Sequence, residues 1–166
     1  MVLPTSSARA HTAAESKFRL SYPLVSSRAV RVVALDAGAE STVRRVAELS
    51  WHAASFYAAE PSWNADGLEG GPFNFTLREL VGTPALLNDV LLGVDAVIMV
   101  ATSDAGTKAA AAIGSACAIR GIMTAGIIFG GAASRMTVSA LRPYAGVLVV
   151  SNDEYDLEAI LSALRA

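Results

Sequence analysis

Four short stretches of this sequence place glycine beside hydroxyl, amide or cationic side chains directly after an apolar run, an arrangement that lets a loop hold an anion. They are Asp36-Ala37-Gly38-Ala39-Glu40-Ser41, Thr102 to Lys108, Gly130-Gly131-Ala132-Ala133-Ser134, and Ser151-Asn152-Asp153. In the second, Gly106 permits close backbone approach, Ser103 and Thr107 offer hydroxyls, and Lys108 offers a charge. Gly38 and Ser41 repeat the theme in the first stretch and Gly130 and Gly131 in the third, while Asn152 in the fourth could read a ribose or a base. A loop entering a helix adds free N–H groups and the positive end of the helix dipole, so the chemistry these positions suggest is the binding of phosphate.

The same stretches carry acids, and these support a different reading. The Asp104 carboxylate would repel a phosphate, and it is placed to cap its own helix through the N–H of Gly106 or Thr107. Asp36 and Glu40 bring negative charge to the first loop, where Ser41 or Thr42 could cap the helix and where an acid could also coordinate Mg²⁺ or bond a ribose hydroxyl. Arg135 is the other cation near these loops, and a solvated arginine is the default. The acids from Asp153 to Glu158 suit the dipole at a helix start. No nucleophile elbow, paired-cysteine, zinc-binding or full Walker pattern is present, so no catalytic residue is assigned.

The elements that must position these loops alternate. Val30 to Leu35 is an apolar, β-branched run ended by Asp36-Ala37-Gly38. Helical spacing follows over residues 40–57, through Val43, Val46, Ala47, Leu49, Ala53 and Ala54. Residues 59–75, rich in glycine and proline, read as a long loop in which Trp63 is the residue best suited to contact something, whereas Trp51 and Phe56 read as core. Thr83-Pro84 reads as the start of a short helix through Gly93. Strands are expected at Asp95 to Ala101, Ile122 to Phe129 and Gly146 to Ser151, and helices at Ala105 to Arg120, Ser134 to Tyr144 and Asp153 to Arg165, with Gly121 as a C-cap. Strands apolar on both faces and joined by helices imply an α/β three-layer sandwich with a mostly parallel, Rossmann-like sheet. Its four strand-end loops should then share one edge, where ligands of such sheets bind.

Composition narrows the function classes. With 166 residues, 53% of them hydrophobic, and a net charge of −2, the chain fits one domain over residues 29–166 behind a flexible tail over 1–28. Its cations are scattered, which argues against nucleic acid, and its apolar runs stop short of a membrane span. Cys117 is the single cysteine, and its apolar surroundings suggest a buried thiol in a reducing compartment, hence a cytoplasmic location. His11 and His52 lack ligand spacing, so no metal site is expected.

The stretch VDAVIMVATSDAGTKAAAAIGSACAIRGIMTAGIIF resembles the strand, glycine-rich signature loop, helix and strand of the FtsZ/tubulin family. Gly106-Thr107 match the central Gly-Thr of a loop that reads G-G-G-T-G-T-G in that family, whereas Asp104, Ala105, Lys108 and Ala110 replace the glycines around them. AVRVVALDAGAESTVRRV is similar to the family's first strand and phosphate loop, with Gly38 retained, and LRPYAGVLVVSNDEYDLEAI matches its later strand and Asn-Asp pair at Asn152 and Asp153. The resemblance spans roughly residues 29–160 and implies a nucleotide at the sheet edge. The chain has no room for the family's central helix or second domain, so polymer-coupled GTP hydrolysis is not implied. The S-x-x-G-T pattern is also similar to sugar-phosphate isomerase domains, and a flavodoxin-like binder would hold FMN with Trp63 against the ring.

Two functions follow as expectations. One is a small-molecule-binding domain that accepts a nucleotide or phosphorylated metabolite at the carboxyl edge of the sheet, with weak or no hydrolysis. The other is a degenerate, non-catalytic domain acting through homo-oligomer or protein contacts, favoured by the small-residue segment AAAAIGSACA and the high apolar content. An enzyme using Asp36 or Asp104 as a base is a third possibility.

Overall fold

The structure, a computed structural model, describes residues 26–60, 75–130 and 134–166. Trp63, Gly131, and most of the tail over 1–28 and of the loop over 59–75 lie outside them. Seven strands form one sheet: β1 (Val30–Ala34), β2 (Ala54–Ala59), β3 (Thr76–Glu79), β4 (Pro84–Leu86), β5 (Ala96–Ala101), β6 (Met123–Phe129) and β7 (Val147–Ser151). Five helices accompany them: α1 (Ala37–Ala47), α2 (Leu87–Val90), α3 (Thr107–Arg120), α4 (Arg135–Leu141) and α5 (Tyr155–Leu164). A 3₁₀ turn, Asp104–Gly106, leads into α3.

The sheet runs β4-β3-β2-β1-β5-β6-β7. β1 pairs parallel with β2 and β5, and β5, β6 and β7 continue in parallel, whereas β3 and β4 add an antiparallel hairpin beyond β2. The expected α/β sandwich with a mostly parallel sheet is therefore present. Alternate strand residues supply two cores. Val33, Val97, Met99 and Ile128 face α2, α3 and α4. Val32, Ile98, Val100 and Ile127 face α1 and α5. No helix among the described residues is long and apolar enough to cross a membrane.

Two expected elements are corrected. The helix over 40–57 ends at Ala47, and β2 occupies residues 54–59. Ala53 and Ala54 fit helical spacing, but the Trp51 indole donates to the Val46 carbonyl at 2.8 Å, turning the side chain back on the end of α1. The β-favouring Phe56-Tyr57 then pairs with Val32 and Val33 of β1. Within the helix expected from Thr83, Pro84–Leu86 is β4 and only Leu87–Val90 is helical. β4 is an edge strand, where a missing N–H removes no ladder bond on the outer side. Gly121 ends α3 in the left-handed conformation at φ 67°, as expected of a C-cap.

Candidate functional site

The chain leaves β1 toward β2, β3 and β4, then returns to β5 on the other side of β1. Strand order thus reverses between β1 and β5, and the loops leaving these two strands meet at the carboxyl edge, where ligands of such sheets bind. The chain leaves β6 and β7 at the same edge because those strands run parallel to β5.

At the junction of the first two loops stands the Asp36 carboxylate. Its Oδ1 accepts from the Thr102 hydroxyl at 2.6 Å and from the Ala39 N–H at 2.9 Å. Its Oδ2 accepts from the Thr102 and Ser103 N–H groups at 2.7 and 3.0 Å. Asp36 is therefore the N-cap of α1, a role that Ser41 and Thr42 do not take, and it also gathers the first N–H groups of the loop after β5. Burial raises its pKa, but these hydrogen bonds, the one from the Thr102 side chain foremost, outweigh that and hold it below the ordinary aspartate value. The carboxylate stays ionised at the junction of the two loops.

The two loop glycines serve this junction. A Cβ on Gly38 would stand 2.3 Å from the Thr102 hydroxyl oxygen, and one on Gly106 would stand 2.4 Å from the Leu35 Cβ and 2.7 Å from the Leu35 carbonyl oxygen. The space each leaves open is filled by the neighbouring loop or strand.

Asp104 caps a helix, but not its own. Its Oδ1 accepts from the Thr137 N–H in the first turn of α4 at 2.9 Å, while the Ser103 side chain accepts from Ala105 N–H at 3.3 Å and caps the 3₁₀ turn. Thr137 donates its hydroxyl to the Ser103 carbonyl at 3.0 Å, and Thr107 donates its own to the Asp104 carbonyl at 2.7 Å. Beyond β7, the Asp153 carboxylate accepts from Tyr155 N–H at 2.9 Å and caps α5.

Ionic contacts brace α1 from both sides. Arg78 on β3 reaches both oxygens of Glu40, at 3.0 and 2.9 Å, and also Glu60 at 3.1 Å. Burial raises the Glu40 pKa, but hydrogen bonds from Arg78 and Arg44 and their charges bring it below the usual value. On the other side Arg45 pairs with Glu154, which also accepts from the Thr42 hydroxyl at 3.2 Å.

The expected site residues thus fall into two sets. Gly38, Ser103, Gly106 and Thr107 come together at the β1–β5 junction, but they are engaged with protein. Ser41 lies on α1 and donates weakly to Ala37 O at 3.5 Å. Lys108, Gly130 and Asn152 are exposed at the edge, Gly130 with φ 70°. Thr102 and Thr137, absent from the sequence expectation, are the residues that knit the loops. Thr102 carries a signal, since it follows β5 much as Asp36 follows β1; Thr137 carries none. No group of three or more metal-ligating side chains occurs among the described residues.

A comparison with protein-family models finds no match for this chain, and neither does a comparison with curated proteins.

Proposed function

We propose that this chain is a non-catalytic α/β module that acts through contacts with other protein chains, and that its β1–β5 junction serves structure rather than nucleotide binding. One observation carries the reading: the donors that would hold a phosphate already hold the ionised Asp36 carboxylate. A phosphate arriving there would meet that charge at close range. Two unit charges 4 Å apart repel by about 4 kcal/mol at an effective dielectric near 20, whereas a helix N-terminus stabilises an anion by only about 0.3–1 kcal/mol. Repulsion wins.

The second reading is a nucleotide, FMN or phosphorylated metabolite held farther out, by Lys108, Gly130 and Asn152, and the FtsZ/tubulin resemblance belongs to it. The reversal of strand order at this edge favours it. Thermal unfolding with GTP, ATP, FMN and sugar phosphates separates the two. A ligand at ten times its Kd would stabilise the native state by about 1.4 kcal/mol and raise Tm by about 3 °C. The module reading expects no shift with any of them, and a shift of that size with one of them would replace it with the second reading.

A further inference from the structure

The strand that closes one side of the sheet is unusual for an edge. β7 reads Val-Leu-Val-Val-Ser, without charge or proline, and among the described residues it pairs with β6 alone. A continuous apolar run of this kind belongs to a strand covered on both faces, yet Val147 is 54% and Val150 60% exposed. The opposite edge, β4, is three residues long and contains Pro84, two ordinary means of preventing further pairing. β7 has neither.

We propose that a second copy of this chain pairs with β7 edge to edge, antiparallel about Val149. The inference rests on the module reading above and names its partner. Leu35 N–H donates to the Val100 carbonyl at 2.8 Å, which turns Ile98 and Val100 toward β1. Ile98 stands opposite Ala125 and Ala125 opposite Val147, so Val147, Val149 and Ser151 bond to β6, and the N–H and C=O of Leu148 and Val150 point outward. A two-fold axis at Val149 sets Leu148 opposite Val150 twice, so each outward N–H and C=O of these residues meets a partner. On the face that carries α3 and α4, Leu148 packs against the core of its own chain, and the same axis brings Val150 of the second copy directly across from it.

Charge selects the direction. Exposed Arg142 precedes β7 and exposed Asp153 follows it. Antiparallel pairing sets the basic end of each copy beside the acidic end of the other, twice, whereas parallel pairing would set like charges together.

Sedimentation of the full chain from about 1 to about 200 μM tests this by mass action. The expected result is a dimer whose dissociation constant rises about tenfold or more in Val150→Lys and in Val147→Lys, exposed positions where lysine leaves the fold intact. Arg142→Glu weakens the dimer, and adding Asp153→Arg restores it. Amide exchange of Leu148 and Val150 in the wild-type chain, protected in concentrated and free in dilute samples, gives the same answer without any substitution. A wild-type monomer throughout the range, or a dimer indifferent to all these changes, overturns the β7 pairing. If that happens while phosphate ligands still give no thermal shift, the module reading stands with a different contact; a ligand shift beside an intact β7 dimer defeats the reading of the junction alone.

Discussion

Asp36 and Thr102, 66 residues apart, are joined at two points: the Thr102 hydroxyl donates to one carboxylate oxygen at 2.6 Å and its N–H to the other at 2.7 Å. This contact locks the end of β1 to the end of β5 at the point where strand order reverses. Asp36→Ala should destabilise the fold by about 3 kcal/mol, because it removes an N-cap and strands part-buried donors. Asp36→Asn should cost somewhat less, since one oxygen remains an acceptor while its NH₂ faces donors. Urea unfolding measures both; a loss under 0.5 kcal/mol for Asp36→Ala would show that the junction contributes little.

The pH dependence has a definite sign. Asp36 has a lower pKa folded than unfolded, so the native state binds fewer protons and the contribution is full above the unfolded value near 3.9. It is lost as pH falls through the lower folded value. Glu40 shifts in the same direction. The stability gap between wild type and Asp36→Asn should therefore be complete at neutral pH and close below about pH 4, as read from urea midpoints at a series of pH values. A gap constant down to pH 2 would mean that the two proteins differ by something other than this charge.

The two junction glycines should differ in tolerance. At Gly38 the obstacle to a methyl group is the Thr102 hydroxyl, which can rotate away at the expense of its bond to Asp36. At Gly106 it is the Leu35 backbone and Cβ, which cannot. Gly38→Ala should cost about 1–2 kcal/mol and Gly106→Ala about 3 kcal/mol or more. Equal losses in thermal unfolding would refute this ordering.

Cys117 is fully buried against α3's own side of the sheet, and burial pushes its thiol up to about 11. At pH 8 only about one thiol in a thousand is then ionised. An aromatic disulfide reagent should leave the native protein unmodified and react at once after unfolding in urea. Rapid reaction of the folded protein would place Cys117 in a more open setting.

Much of the fold was legible because β1, β5, β6 and β7 are continuous apolar runs bounded by turn residues, and Gly121 marks the end of α3. β2 was not, since Ala53 and Ala54 extend the spacing of α1 and only the bond from Trp51 to Val46 reveals the break. β4 was hidden by Pro84, which serves a helix start and an edge strand equally well. At the junction the sequence showed that the loops after β1 and β5 share an edge but not what their donors hold. Beside its local bond from Ala39, Asp36 holds Thr102, 66 residues away, and Asp104 holds Thr137, 33 residues away, and no local pattern encodes such pairings. Gly106 has the loop position of a ligand-approach glycine, yet the close neighbour is Leu35.

The central claim, that Asp36 already occupies the anion position, is tested most directly by the amide resonances of Ala39, Thr102 and Ser103. GTP, FMN and inorganic phosphate would each be titrated to about 5 mM, well above a typical metabolite Kd. On titration these three signals should stay in place in wild type and move when Asp36 is replaced by Ala or when pH falls low enough to protonate it. A saturable shift of the Thr102 and Ser103 amides in the wild-type protein at neutral pH would contradict it, for those donors would then be open to a ligand.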